Sequence, residues 1–107
     1  MEQAQKNKLQ YLIDHYGYWC AKAAEAKIAV DQNPLSKGRT TEKQALVRKE
    51  WSEAKHGQWL YTLCLAEDFG VFLFDMTTQE INEERVKWRE DEEYWQARLD
   101  EINTEIA

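Results

Sequence analysis

From Thr77 to Ile102 the chain reads TTQEINEERVKWREDEEYWQARLDEI, and within it Ile81, Trp88, Trp95 and Ile102 recur every seven residues, with Leu99 and Ile106 alongside. A seven-residue apolar repeat holds one stripe of an α-helix in one direction, because about 3.6 residues complete a turn. Thr77 followed three residues on by Glu80 has the form of a capping box, in which hydroxyl and carboxylate satisfy backbone donors at a helix start. The stretch predicts a helix over 77–106, and the fold turns on what covers its apolar stripe.

Two further helices are available upstream. Over 2–32, Leu9, Leu12, Ile13, Tyr16, Trp19, Cys20, Ala23, Ala26 and Val30 follow the three-four spacing of one helical face. Asn33-Pro34-Leu35-Ser36-Lys37-Gly38 then gathers turn-forming residues, and Pro34 pushes Asn33 out of the helical basin. Thr41 with Gln44 forms a second capping box, opening a helix over 41–68. Its stripe of Val47, Trp51, Ala54, Tyr61 and Leu65 is widened by Leu46, Gly57, Leu60 and Cys64, as expected of a helix that touches two neighbours. Phe69-Gly70-Val71-Phe72-Leu73-Phe74 is apolar in every direction, so periodicity does not separate a buried helical end from an extended piece. A helical extension to residue 75 is the favoured reading there.

The chain of 107 residues fits a single helical domain, 1–107, and its one proline and four glycines are too few for the turns of an all-β fold. No apolar run approaches the roughly 20 residues that span a bilayer. The opening Met1-Glu2-Gln3-Ala4-Gln5 lacks the basic-then-apolar order of a secretory signal, so a cytoplasmic location with no membrane partner is expected. Cys20 and Cys64 then read as reduced, packed thiols. The expected architecture is all-α, an antiparallel three-helix bundle with long helices. Its apolar seam gives a coiled-coil-like homodimer as the alternative.

Charge is distributed unevenly. Residues 1–76 hold ten acidic and ten basic side chains, whereas from Thr77 onward ten acids face only Arg85, Lys87, Arg89 and Arg98, which places the whole net charge of -6 in the last helix. Glu83, Glu90, Asp91, Glu93 and Asp100 are expected on a negative flank opposite the seam, with Glu90-Asp91-Glu92-Glu93 as its uncompensated centre. A charge run of this kind is ordinarily a solvated face that keeps a chain soluble; as a binding surface it repels phosphates and attracts basic protein surfaces, so direct nucleic-acid binding is not expected. Lys37, Arg39, Lys43, Arg48, Lys49 and Lys55 are a weaker positive cast, read as a complement to those acids.

Chemical motifs are scarce. Glu53-x-x-His56 has the spacing of a carboxylate-bridged metal helix, but such sites need a second pair and two more glutamates, and His15 has no glutamate at the required offset. Both cysteines lie on or beside core stripes, and no glycine-rich phosphate loop, nucleophile elbow or zinc motif occurs. No catalytic residue, metal site or cofactor is expected.

Five Trp and five Tyr exceed what a narrow core readily absorbs. Tyr11 and Tyr18 lie on the flank opposite the first helix's stripe, and Trp59 and Leu63 stand off that of the second, so these four either pack between helices or across a dimer interface, or are the aromatic and apolar candidates for a docking patch. The sequence points to a non-enzymatic protein–protein interaction module. In its sharpest form it is a small phage or mobile-element inhibitor whose acidic helix, acting as a DNA mimic, blocks a basic nucleic-acid-binding surface of a host protein. The competing reading is a structural or assembly component that oligomerises through the aromatic seam.

Overall fold

Side-chain caps set where the helices begin. Gln5 accepts from the Glu2 backbone N–H at 3.1 Å, Gln44 and Thr41 satisfy each other's backbone at 2.8 and 3.2 Å, and Glu80 and Thr77 do the same at 3.0 and 3.1 Å. The computed structural model of the chain describes residues 1–106, and of Ile106 the backbone alone. It contains α1 (Gln3–Gln32), α2 (Glu42–Phe69) and α3 (Thr78–Ile106), with no strand among the described residues. The expected place of the Ile106 side chain beside the seam lies outside what is described.

The expected extension of α2 to residue 75 does not form. Gly70 turns into the left-handed region at φ 65°, its N–H bonds Ala66 O at 3.0 Å, and the Val71 N–H reaches back to Leu65 O at 3.0 Å. Those bonds satisfy carbonyls that a helix end would otherwise leave open. The left-handed basin is one a side chain with Cβ enters only at a cost, so glycine ends the helix despite the apolar residues beyond it.

The turn between α1 and α2 is tied to both helices. The Arg48 guanidinium donates to Asn33 O at 2.9 Å and Gln44 O at 3.0 Å, and the Gln44 amide donates to Pro34 O at 2.9 Å. Neighbouring helices run antiparallel. Lys8 of α1 pairs with Asp68 of α2 at one end, while Arg48 of α2 meets Asn33 at the other. On the other side Ala45 packs with Leu99 and Ile102, and Leu63 with Ile81.

α2 is central because it presents two packing faces. Ala45, Trp59 and Ala66 stand at multiples of seven and face α3, with Leu63 beside them. Ala54, Tyr61 and Asp68 repeat the interval two positions on and face α1, with Gly57 against Trp19 and Tyr61 against Tyr11 and His15. An offset of two residues is about 200° around a helix, so the partners are directed to nearly opposite sides of α2. Accordingly, among the described residues, α1 and α3 each pack on α2 and nowhere approach within 8 Å of each other, α-carbon to α-carbon. The three helices pack antiparallel, with α2 between the other two, in an elongated body of 55 × 24 × 24 Å. No described helix is long and apolar enough to cross a membrane.

Candidate functional site

Packing the Ile81, Trp88, Trp95 and Ile102 stripe onto α2 decides which side of α3 remains in water. Ile81 and Ile102 are buried, Trp88 meets Trp51 edge to face at 5.0 Å, and Trp95 packs against the Ala45 cluster under Arg48. Of the five acidic residues expected outside, Glu83, Glu90, Glu93 and Asp100 are exposed. Glu93 lies 3.9 Å from Arg89, Glu83 accepts from the Gln79 amide at 3.4 Å, and Asp100 from that of Gln96 at 3.0 Å. Glu83, Glu90 and Asp100 have no cation within 4.0 Å among the described residues.

Asp91 departs from expectation: it is half-buried, as is Glu92, which lies 3.0 Å from His56 Nδ1 across the α2–α3 interface. The reason is geometric. Successive residues turn about 100° around a helix, so four consecutive acids encircle it instead of lining one flank. The exposed strip is therefore Glu83, Glu90, Glu93 and Asp100, without Asp91.

The aromatic candidates are not one patch. Tyr11 and Tyr18 are each 52% exposed. Tyr11 lies tilted against His15 at 4.0 Å, His15 stacks on Tyr61 at 5.3 Å, and Tyr18 meets Trp19 at 5.1 Å. A hydrogen bond with Tyr11, followed by burial, raises the Tyr61 phenol above its ordinary range. Trp59 and Leu63 belong to the opposite side of α2. Leu63 is only 9% exposed, packed with Ala66 and Ile81, and Trp59 is half-buried beside that cluster, so neither is the exposed anchor expected. They are part of the second packing face, which reads as an off-face scatter when α2 is given a single arc.

The expected basic complement to α3 is realised in part, through Arg39 and its α3 partner Glu105. Lys49 bonds Glu53 on its own helix at 2.8 Å, and Arg48 is taken by backbone carbonyls. Lys55 stands over the Trp88 ring at 5.6 Å. Glu53 is thus directed to Lys49 and His56 to Glu92, which separates the Glu53-x-x-His56 pair. Among the described residues no three His, Cys, Asp or Glu side chains converge as a metal ligand set.

Cys20 and Cys64 are free and half-buried. Burial first, then the nearby Asp68 and Glu67 carboxylates, push the Cys64 thiol above its ordinary range, and burial with a hydrogen bond to Cys20 pushes the Tyr16 phenol up to about 12. The thiolate is the reactive form. In a Cys20→Ser chain, Cys64 is therefore expected to react with iodoacetamide at pH 8 severalfold more slowly in the folded protein than in urea. Equal rates would show that burial and the carboxylates do not suppress it.

One surface feature escaped the sequence reading. Val71, Phe72, Leu73 and Phe74, placed in a helical extension, instead form an exposed apolar turn between α2 and α3. Gly70 was the available signal. No family model matches the chain, and no curated protein or solved structure is significantly similar to it.

Proposed function

We propose that this protein is a non-enzymatic binding module that engages a basic surface of another protein through the outer flank of α3. The observation supporting this most directly is that Glu83, Glu90 and Asp100 are exposed without a cationic partner. From Glu83 to Asp100 the flank runs about 25 Å at a rise of about 1.5 Å per residue. Unneutralised carboxylates along a rigid rod supply electrostatic complementarity to a basic groove, and with it orientation and a fast encounter. In its sharper form the partner's groove binds nucleic acid, and the module acts as a mimic of that ligand, an inhibitor of the kind a phage or mobile element carries. The assembly reading is less well supported, because Trp88 and Trp95 are turned onto α2.

Affinity capture from the native host tests the proposal, using the wild-type chain and Glu83→Lys/Glu90→Lys/Asp100→Lys. All three positions are exposed, where substitutions usually change stability by less than about 0.5 kcal/mol. The expected result is a captured protein that the triple variant binds at least about tenfold more weakly, with the wild-type complex weakening as salt is raised. Displacement of that protein by duplex DNA is expected if the groove is a nucleic-acid site. Capture that is indifferent to both the substitutions and salt would overturn the assignment.

A further inference from the structure

The turn between α2 and α3 is apolar where turns are ordinarily polar. Gly, Pro, Asn, Asp and Ser dominate turns because they adopt the required dihedrals or bond their own backbone. Here Val71-Phe72-Leu73-Phe74 occupies the tip, with Phe72 51% and Leu73 42% exposed. Leaving about half of each such side chain in water forgoes about 1 kcal/mol per residue relative to full burial. The adjacent core has no place for them, since Ile81 already fills the space beside Leu63 and Ala66.

The tip is also held at both ends. Gly70 closes α2, and the Thr77–Glu80 capping box opens α3. Between them Met76 packs against the Leu63, Ala66 and Ile81 cluster, the Met76 N–H donates to Phe74 O at 2.9 Å, and the Phe74 ring lies 5.3 Å from Trp59. The Trp59 indole N–H is sealed beside it without an acceptor among the described residues. Phe72 and Leu73 are thus displayed on a fixed support, which lowers the ordering cost of docking them.

Charge indicates what would cover them. Glu67, Asp68 and Asp75 flank the turn in sequence, and Glu80 and Glu83 follow on the first turns of α3. Of these acids Asp68 alone has a cation within 4.0 Å, Lys8 at 3.1 Å, among the described residues. A second copy docked tip to tip would set carboxylates against carboxylates, and an anionic bilayer would repel the same groups. An apolar pocket bordered by Lys and Arg satisfies the side chains and their acidic surround together.

We propose that Phe72 and Leu73 are the hydrophobic anchor by which this chain docks into an apolar pocket, rimmed by Lys and Arg, on another protein. This rests on the reading above that the chain works by binding a protein, and it adds an anchor continuous with the acidic flank at the α3 N-terminus.

A random-peptide phage library selected on the immobilised full chain tests the anchor. Enriched peptides should combine large apolar residues with Lys or Arg, and should bind Phe72→Ser/Leu73→Ser at least about tenfold more weakly, a change of about 1.4 kcal/mol. Each single substitution should give an intermediate loss, and helical circular dichroism should match wild type in all three variants. No enrichment, or peptides that bind the double variant as tightly as wild type, would overturn the anchor. If those peptides instead lose affinity only for Glu83→Lys/Glu90→Lys/Asp100→Lys, the flank stands and the anchor falls. Loss confined to the Phe72 and Leu73 variants leaves the anchor standing and removes support from the flank. Phosphatidylcholine vesicles with and without phosphatidylserine, and sedimentation across a concentration series, complete the test. Binding to either vesicle, or a dimer, that disappears in Phe72→Ser/Leu73→Ser would assign the tip to lipid or to a second copy and overturn the proposal.

Discussion

Gly57→Ala is expected to destabilise the protein by about 2 kcal/mol, although alanine is the better helix former by about 1 kcal/mol. A Cβ at position 57 would stand 2.5 Å from Trp19 Cδ2 and 2.7 Å from Cε2 and Cγ. Carbon atoms pack at about 3.5–4.0 Å. The clashing atoms are at the root and fusion of the indole, so rotating the far end of the ring does not relieve them. Either Trp19 leaves its rotamer or α1 withdraws from α2. Overpacking of this kind costs about 1–3 kcal/mol, occasionally more, and the upper part of that range outweighs the gain in propensity. At roughly 4 °C per kcal/mol for a domain of this size, Tm should fall by about 8 °C. The same substitution in a Trp19→Ala background should be neutral or stabilising by up to about 1 kcal/mol, because the obstacle is gone and the propensity gain remains. A Gly57→Ala protein as stable as wild type would mean that the indole does not lie across α2 at this point.

This contact also shows which parts of the fold were legible. The helix starts were readable, since Thr41 with Gln44 and Thr77 with Glu80 encode caps by side-chain chemistry alone, and the structure uses both. The side of α3 facing α2 was readable from Ile81, Trp88, Trp95 and Ile102. The two-sided character of α2 was only partly so. Its faces carry alanine, glycine and serine as well as large apolar residues, and small residues weaken any hydrophobic pattern although they permit close helix approach. Trp59 and Leu63 consequently stand off the single arc that the large residues of α2 define. The turn at 70–76 was illegible for a different reason: apolar content argues for burial, whereas Gly70 argues for termination, and only the backbone decides between them. For the candidate surface, net charge placed the excess in α3, but composition does not say which way each carboxylate points. Helical rotation separated Asp91 and Glu92 from Glu90 and Glu93, and His56 then accounted for Glu92.

Ile81→Ala should cost more than any surface change, about 3 kcal/mol or some 12 °C in Tm. The side chain is 0% exposed, enclosed by Leu63 and Ala66 of α2 with Trp59 and Met76 beside them. Truncation removes three carbons and leaves a cavity whose walls relax only partly. Refilling from α1 is limited, since α1 packs on α2 and makes no close backbone approach to α3. That argument sets the scale of two companions. Ile81→Val, which removes one methyl group, should cost about 1 kcal/mol. Ile28→Ala on the outer face of α1, where the side chain is 60% exposed, should stay within about 0.5 kcal/mol. Because α3 packs on α2 and not on α1, the loss should be local as well as global. In hydrogen exchange, α3 amides should lose protection before those of α1, as a weakly held unit opens ahead of the rest. An Ile81→Ala protein whose α1 and α3 lose protection together would show that the three helices open as one cooperative unit, and packing of each outer helix on α2 would then be the wrong account of how the chain holds together.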